Sequence, residues 1–325
     1  VIMATDIDHD FATAHRRNHP DIPFLEKDIT LFSPDFFKFI CNGHHVHLVS
    51  GGPPCQGFSM NGNRDTDDPR NKLFKHYVKI LKVLNPEFFF MENVTGMLSM
   101  KNKNGERFID EVMRDFKKLR GYTVDYKVIN MADYGVPQTR KRVVMIGNRL
   151  GFSIDECIPV PEYGEDRKYK YEKSGKYIMG LVNVPEQALP NHRRMNHNES
   201  VVRTMSMVKE GHYMPKDLPK DSIKKKTFQT VYRRVDRNKP APTMVPGHSA
   251  FPIHPTENRS LTFREAARLQ TFRDDYVFYG TTIKQGLAVG NAVPPLFVQR
   301  LGEHLLNLLK TKTEKTIKPM HLTRC

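Results

Sequence analysis

Over the first 150 residues short apolar runs alternate with amphipathic stretches. Residues 2–5 and 47–50 read as strands, and so does Glu87-Phe88-Phe89-Phe90-Met91, whose near-continuous apolar character suits a strand buried on both faces. Further strands are predicted at 123–130 and 143–147. Helices are predicted over 8–18, 72–84 and 105–119; in the second of these Leu73, Tyr77, Ile80 and Leu84 recur at three- and four-residue spacing and mark one buried face. Strands alternating with helices predict an open, mostly parallel α/β sheet. Beyond residue 150 the periodicity fades. Pro, Gly, Asn, Lys and Tyr dominate residues 159–255, which predicts a second, smaller, irregular domain. A helical stripe returns with Phe263, Ala266, Ala267 and Gln270, and again over 295–309, after which the tail from Lys310 is expected to fray.

Composition narrows the class of protein. A chain of 325 residues suggests about two domains, and 38% apolar with 27% charged residues excludes collagen-like and coiled-coil designs. No apolar run approaches the roughly 18 residues of a membrane span, and the N-terminus lacks the order of a secretory signal, so a soluble intracellular protein is expected. Lysine and arginine number 51 against 36 acidic residues, a net charge of +15 that favours polyanionic partners, nucleic acid above all. The excess leans toward the second half. Cys41, Cys55, Cys157 and Cys325 show neither a C-x-x-C pair nor zinc-site spacing, which suits reduced thiols. In His44-His45-Val46-His47, strand alternation puts His45 and His47 on one face, and no metal is expected there.

Four segments carry candidate chemistry. Gly51-Gly52-Pro53-Pro54-Cys55-Gln56-Gly57-Phe58-Ser59 follows a predicted strand, so its thiol would stand at the carboxyl end of that strand, where open α/β sheets bind ligands. Glu92-Asn93-Val94 ends the apolar run in the same way and brings a carboxylate and an amide to that edge. Gln138-Thr139-Arg140-Lys141-Arg142 precedes a strand whose alternation puts Arg140 and Arg142 on one face. Gln285-Gly286-Leu287-Ala288-Val289-Gly290-Asn291-Ala292-Val293-Pro294-Pro295 is a glycine-rich turn before the last helix, able to bring backbone against a small molecule.

In this order, the Pro-Pro-Cys, Glu-Asn-Val, Gln-x-Arg-x-Arg and Gly-Asn-Ala-Val-Pro-Pro segments make the chain resemble the DNA (cytosine-5)-methyltransferases, the bacterial restriction-modification type in particular. Residues 259–270 resemble the family's penultimate block as well. The resemblance implies a Rossmann-like S-adenosylmethionine-dependent methyltransferase sheet with a smaller, irregular target-recognition domain. Residues 1–155 with 259–310 would be the catalytic domain, 156–258 the recognition domain and 311–325 a tail. It implies that Cys55 adds to carbon 6 of a flipped-out cytosine in duplex DNA, that Glu92 holds the ring nitrogen and amine, that Asn93 shapes the loop, and that Arg140 steadies the base and Glu92. Arg142 is expected to be structural or to touch phosphate, and Gln56, Ser59 and Thr243 to meet the substrate.

For the cofactor, the resemblance implies that Asp6 binds the ribose hydroxyls with Ile7 beside it. Asp28 would meet the adenine amino group with Ile29 on the ring, and Pro53, Leu73, Asn291 and Ala292 would close the pocket. The family's opening Phe-x-Gly-x-Gly-Gly loop has no counterpart here, so an upstream unit of about 25 to 30 residues, or another chain, is expected to supply it. Weak cofactor binding and poor stability are expected of the chain alone. Asn191-His192-Arg193-Arg194, Lys224-Lys225-Lys226 and Tyr232-Arg233-Arg234 are candidates for DNA contact. A monomer in the bacterial cytoplasm, paired with a restriction endonuclease of the same target site, is the implied setting. Two alternatives stay open: an RNA cytosine-5 methyltransferase relative, and an inactive or split DNA-binding fragment.

Overall fold

The computed structural model describes residues 1–54, 73–102, 104–215, 232–245 and 251–317, with side chains as far as residue 312. The chain gathers into two compact units. The first holds Val1–Ile29, Asn130–Lys141 and Pro161–Phe297; the second holds Thr30–Ile129, Arg142–Val160 and the residues from Val298 onward.

The first unit opens with β1 (Ala4–Asp6), α1 (His9–Asn18) and β2 (Phe24–Glu26), the two strands pairing in parallel with Asp6 opposite Glu26. Asp8 caps α1, its carboxylate accepting the N–H groups of Asp10 and Phe11, while His15, Arg16 and Arg17 stand at the opposite end of the helix dipole. The β2 strand is too short to show an alternation in the sequence, which is why the pattern did not predict it.

The second unit contains α2 (Pro34–Ile40), β3 (Leu48–Gly51), α3 (Leu73–Leu84), β4 (Phe88–Val94), α4 (Phe108–Phe116), β5 (Thr123–Asn130), β6 (Lys141–Asn148) and α5 (Ile154–Cys157), apart from the end residues Asn130 and Lys141. Its sheet has the order β3-β4-β6-β5. Strands β3 and β4 run parallel, with Val49 opposite Phe89, whereas β6 lies antiparallel to β4, with Gly147 opposite Phe89 and Val143 opposite Asn93. The sheet is therefore mixed, where a mostly parallel one was expected. The link 131–140 into β6 holds only a 3₁₀ turn, Met131–Tyr134, and has no room for the crossover helix that a parallel return requires.

Residues 88–93 of β4 are all buried, in keeping with a strand covered on both faces. Phe89 and Met91 pack with Phe74, Tyr77 and Leu81 of α3, Ile109, Val112 and Phe116 of α4, and Val143 and Met145 of β6. The Phe89 ring stacks on Phe116 at 5.0 Å between centroids and lies over Gly147, where an added Cβ would come within 2.0 Å of it.

The remainder of the first unit is less regular, as the composition of residues 159–255 predicts. Among the described residues of that stretch the helices are short: α6 (Gly175–Ile178), a 3₁₀ turn at Met179–Leu181, and α7 (Glu199–Ser206). Helix α8 (Phe263–Leu269) begins with a reciprocal Thr262–Glu265 capping box, and its apolar face joins Ile178, Val235, Phe251 and Val289 in a second core. Helix α9 (Thr282–Asn291) corrects the expected glycine-rich turn: Gly286 and Gly290 are buried helical positions, and the chain leaves the helix only at Ala292. Thr281 caps α9, its hydroxyl accepting the Lys284 N–H at 3.4 Å. Helix α10 (Pro295–Ile317) starts in the first unit and continues in the second, running past residue 310 where fraying was expected. Once a helix is nucleated, lysine- and glutamate-containing sequence extends it at little cost. Among the described residues no helix is long and apolar enough to cross a membrane.

Candidate active site

In the second unit, β3 and β4 end side by side and deliver their chemistry at the same edge. Gly51 pairs with Met91, and the next residues of the two strands are Gly52-Pro53-Pro54 and Glu92-Asn93. Asn93 is 6% exposed; its Nδ2 donates to the Pro53 carbonyl at 3.2 Å and its Oδ1 accepts the Val94 N–H at 2.9 Å. The amide thus ties the end of β4 to Pro53, two residues before Cys55. Cys55 itself, with Gln56 and Ser59, lies outside the described residues.

Tyr77 of α3 braces this edge from below. Its hydroxyl lies 2.9 Å from the Val49 carbonyl and 3.0 Å from that of Phe90, one on each parallel strand. Burial drives its phenol well above the ordinary range, so the group stays a donor. Its ring occupies the space beside Gly51, where a Cβ would approach to 2.8 Å. The sequence places Tyr77 on the buried face of a helix, but its hydroxyl contact with two strands depends on tertiary packing that spacing does not reveal.

The two arginines have different surroundings. Arg142, expected to be structural or phosphate-bound, lies on β6 opposite Val94, and its Nε stands 2.8 Å from Glu92 Oε1 with both side chains 11% exposed. Burial lowers the Arg142 pKa and the Glu92 carboxylate raises it, with burial the larger influence. Arg140 belongs to the first unit and is fully buried, donating to the carbonyls of Gly290 (3.0 Å), Asn291 (3.4 Å) and Met244 (3.5 Å). Alternation had put both side chains on one face, but β6 begins only at Lys141, so Arg140 is not bound by its period.

Gln138 works with Arg140. It is fully buried, its Oε1 accepting the Met244 N–H at 2.9 Å and its Nε2 donating to Gln270 Oε1 at 3.0 Å. Gln270 in turn donates to the Val289 carbonyl at 2.7 Å. Thr243 donates its hydroxyl to the Thr139 carbonyl at 2.7 Å. Residues 138–140 therefore tie Thr243, Met244, α8 and α9 together, and the Gln-x-Arg segment acts here as a buried clamp.

At the end of β1, Asp6 is exposed and its Oδ1 accepts the Asp8 N–H at 2.9 Å. The helix cap is Asp8, which leaves Asp6 at the strand end. Ile7 beside it is 67% exposed, an apolar side chain presented at a strand end. Lys284 of α9 pairs with Asp8; despite partial burial, which acts to raise it, Asp8 is held below the usual carboxylate range by this lysine and the two helix N–H groups. Asp28 and Ile29 follow β2 and are half-buried. In the first unit Asn291 is exposed and Ala292 half-buried, and in the second Pro53 and Leu73 are half-buried. The Lys284–Asp8 pair was missed because 276 positions separate its partners.

Several candidates for DNA contact instead hold the fold. Arg234 is 5% exposed and spends its guanidinium on the carbonyls of Val208, Met205, His254 and Glu257 and on Asn258 Oδ1, all at 2.6–2.8 Å. His192 is buried between Thr262 and the Leu181 carbonyl, and Arg194 donates to the Val182 carbonyl at 2.6 Å. In a region poor in regular structure, unpaired carbonyls must find donors, and arginine supplies five. Arg193 is exposed, and Arg233 lies with its guanidinium 5.0 Å from the Tyr213 ring centroid. Lys224–226 fall outside the described residues.

A sequence model described as C-5 cytosine-specific DNA methylase matches residues 1–307. The chain is 38% identical over 313 residues to the Type II methyltransferase M1.HphI of Haemophilus parahaemolyticus, covering 94% of this chain and 81% of that protein. It is 34% identical to the Type II methyltransferase M.DdeI of Desulfomicrobium norvegicum, covering 94% and 82%. Among solved structures, a prophage-encoded E. coli protein described as a DNA modification methyltransferase superimposes with a TM-score of 0.69 at 25% identity, covering 95% of this chain and 92% of that one. The S. pombe Dnmt2 methyltransferase shares the fold, with a TM-score of 0.65 at 17% identity over 95% and 91% of the two chains.

Proposed function

The chain belongs to the C-5 cytosine-specific DNA methylases, enzymes that transfer a methyl group from S-adenosylmethionine to carbon 5 of cytosine in DNA, and on that premise we propose that Cys55 is its nucleophile, with Glu92 and Arg142 as the pair that holds the reacting base. The observation that supports this most is the Glu92–Arg142 pair at the end of β4, beside a loop that Asn93 holds two residues short of the thiol.

Carbon 5 of cytosine is a weak nucleophile. When the Cys55 thiolate adds to carbon 6, the new S–C bond pushes an electron pair toward carbon 5, and a proton shared with Glu92 at the ring nitrogen relieves the charge that builds there. Arg142 keeps Glu92 oriented and donates to the oxygen side of the ring. Once carbon 5 carries its methyl group, loss of its proton to a base or an ordered water and departure of the Cys55 thiolate restore the aromatic ring. The target base must leave the helix stack, which costs a few kcal/mol that contacts to the phosphate backbone offset. Gln56, Ser59 and Thr243 are proposed to contact the nucleotide. Arg140 contributes by fixing the segment that carries Thr243.

The residues at the end of β1 fit an adenosine group: a carboxylate not used as a helix cap, next to an exposed apolar side chain. S-adenosylmethionine, when bound, supplies an electrophilic methyl on a sulfonium. Asp6 would hold its ribose hydroxyls, Ile7 and Ile29 would pack on the adenine and Asp28 would accept from its amino group. Asn291 and Ala292, in the same unit, are proposed to add contacts. Residues 1–155 with 259–310 serve catalysis and 156–258 target recognition on duplex DNA. The product protects host DNA from an endonuclease of the same sequence, and the enzyme acts as a monomer in a bacterial cytoplasm.

Covalent trapping tests the mechanism. Duplex DNA carrying 5-fluorocytosine at the target blocks the final proton loss, so wild-type protein with S-adenosylmethionine should give a denaturation-resistant complex that Cys55→Ser does not. Equal trapping by both would remove Cys55 from its role.

A further inference from the structure

At the N-terminal end of β3, away from the edge that carries Glu92, two exposed histidines and one carboxylate converge. The backbone arranges them. Parallel pairing of β3 with β4 extends one step before Leu48 and Phe88, where the Phe88 N–H donates to the His47 carbonyl at 2.9 Å. Glu87 consequently stands beside His47, and His45, two residues earlier in an extended segment, lies on the same side. Glu87 Oε1 and Oε2 lie 2.7 and 2.9 Å from His45 Nε2, and Oε2 lies 3.1 Å from His47 Nδ1. The three donor atoms all fall within 4.8 Å of one another. Strand alternation predicted the histidine pair but could not show the third group, because Glu87 is 40 residues further along the chain.

We propose that His45, His47 and Glu87 bind a first-row divalent transition metal ion, Zn²⁺ being the reference case. Two imidazole nitrogens and one carboxylate oxygen are the donor set that such ions prefer over the hard cations Mg²⁺ and Ca²⁺, which favour oxygen alone. Zinc binds nitrogen at about 2.0–2.1 Å, so tetrahedral neighbours sit about 3.3 Å apart, close to the carboxylate–imidazole separations already present. The backbone that carries Glu87 is fixed on both sides: the Glu87 carbonyl accepts the Arg149 N–H at 3.0 Å, and the Pro86 carbonyl accepts the Tyr122 hydroxyl. Glu87 is only 19% exposed, while the rings of His45 and His47 are 57% and 60% exposed and can turn to close on an ion. The metal would replace the ring–carboxylate contacts, each imidazole presenting a nitrogen lone pair to the ion, and would keep water in its remaining position. It would bind β3 to β4 at the end opposite the Pro53-Pro54-Cys55 loop.

The test uses tag-free protein and ZnCl₂ alone, read by isothermal titration, with Co²⁺ absorption as an independent signature. Wild type should bind one more equivalent than His45→Ala/His47→Ala, with affinity at that site weakened at least about tenfold in Glu87→Gln. Zinc should raise the melting temperature of wild type and leave that of the double variant in place. His45→Gln, which changes a single exposed ring, guards against a folding defect and should also lose the equivalent and the Co²⁺ band. Unchanged stoichiometry and an unchanged Co²⁺ spectrum in these variants would overturn the proposal and leave the cluster a hydrogen-bonded surface triad. DNA methylation is a separate readout, since none of the three residues belongs to the proposed catalytic group.

Discussion

Two arginines two positions apart have different work because their surroundings differ. Arg142 shares a nearly dry edge with Glu92, where a charge-assisted contact is stronger and more directional than at the surface. Arg140 converges on backbone carbonyls and resembles a structural tie. Arg142→Lys keeps the charge but loses the planar fork that fits a carboxylate, and should lower kcat by roughly 10²-fold with little change in melting temperature. Glu92→Gln should fall further, by about 10²–10⁴-fold. Steady-state kinetics alongside thermal melts separates these effects, and equal loss of activity and stability in Arg142→Lys would show that Arg142 is a second structural tie. The sequence showed the residue types at this edge and their order. It did not show which arginine faces Glu92, because that depends on where β6 begins, and the pairing of strands 50 residues apart is not written in local spacing.

At the scale of elements, the strongly patterned parts of the chain were legible. The continuous apolar run of β4, the stripe of α3 and the stripe of Phe263, Ala266 and Ala267 in α8 are local signals, and each corresponds to an element of the structure. Elements of three to ten residues without periodicity were not legible: β2, α2, α6, α7 and α9 are held by tertiary contacts, and the glycines of α9 argued for a turn. The sheet carries a test of its packing. Gly147 leaves room for the Phe89 ring across the β4–β6 pair, so Gly147→Ala forces that ring off its place against Phe116 and should cost about 1–3 kcal/mol in denaturant unfolding. A neutral result would mean that the core yields without strain.

A buried charge cluster links α8 to the loop before it. His254 is fully buried, with its Nε2 3.8 Å from Glu265, and Arg259, Glu257 and Arg234 are the other charged groups that face it. Burial pushes its pKa down from 6.5 to about 4. Above pH 6.5 the ring is neutral whether the chain is folded or not, and stability is unaffected. As pH falls from about 6.5 to 4 the unfolded chain takes up a proton that the folded one refuses, so stability declines by on the order of 3 kcal/mol and then levels off. Urea unfolding at pH 7 and pH 4.5 should show this loss in wild type and a smaller one in His254→Asn; equal losses would assign the acid sensitivity elsewhere.

At the scale of the whole molecule, a net charge of +15 suits a polyanionic substrate, but charge count alone overstates the contact surface. Arg234, Arg194 and Arg264 are committed to backbone carbonyls, the last to those of Pro190, Arg273 and Tyr276. Exposed Arg193 is the better candidate for a phosphate contact. Arg193→Ala should leave the fold intact and reduce the slope of log K against log salt by about 1, whereas Arg234→Ala should lower the melting temperature because several carbonyls lose their donors. Fluorescence anisotropy across a salt series reads the first, and an unchanged slope would remove Arg193 from the interface.

We propose that this chain methylates carbon 5 of cytosine through Cys55, with Glu92 and Arg142 holding the base. The most direct measurement is transfer of tritium from labelled S-adenosylmethionine to unmethylated duplex DNA, followed by digestion to nucleosides, for wild type, Cys55→Ser and Arg142→Lys. All label should appear in 5-methylcytosine with wild type, none above background with Cys55→Ser, and a reduced amount with Arg142→Lys. Label in another base, or undiminished transfer by Cys55→Ser, would contradict the account.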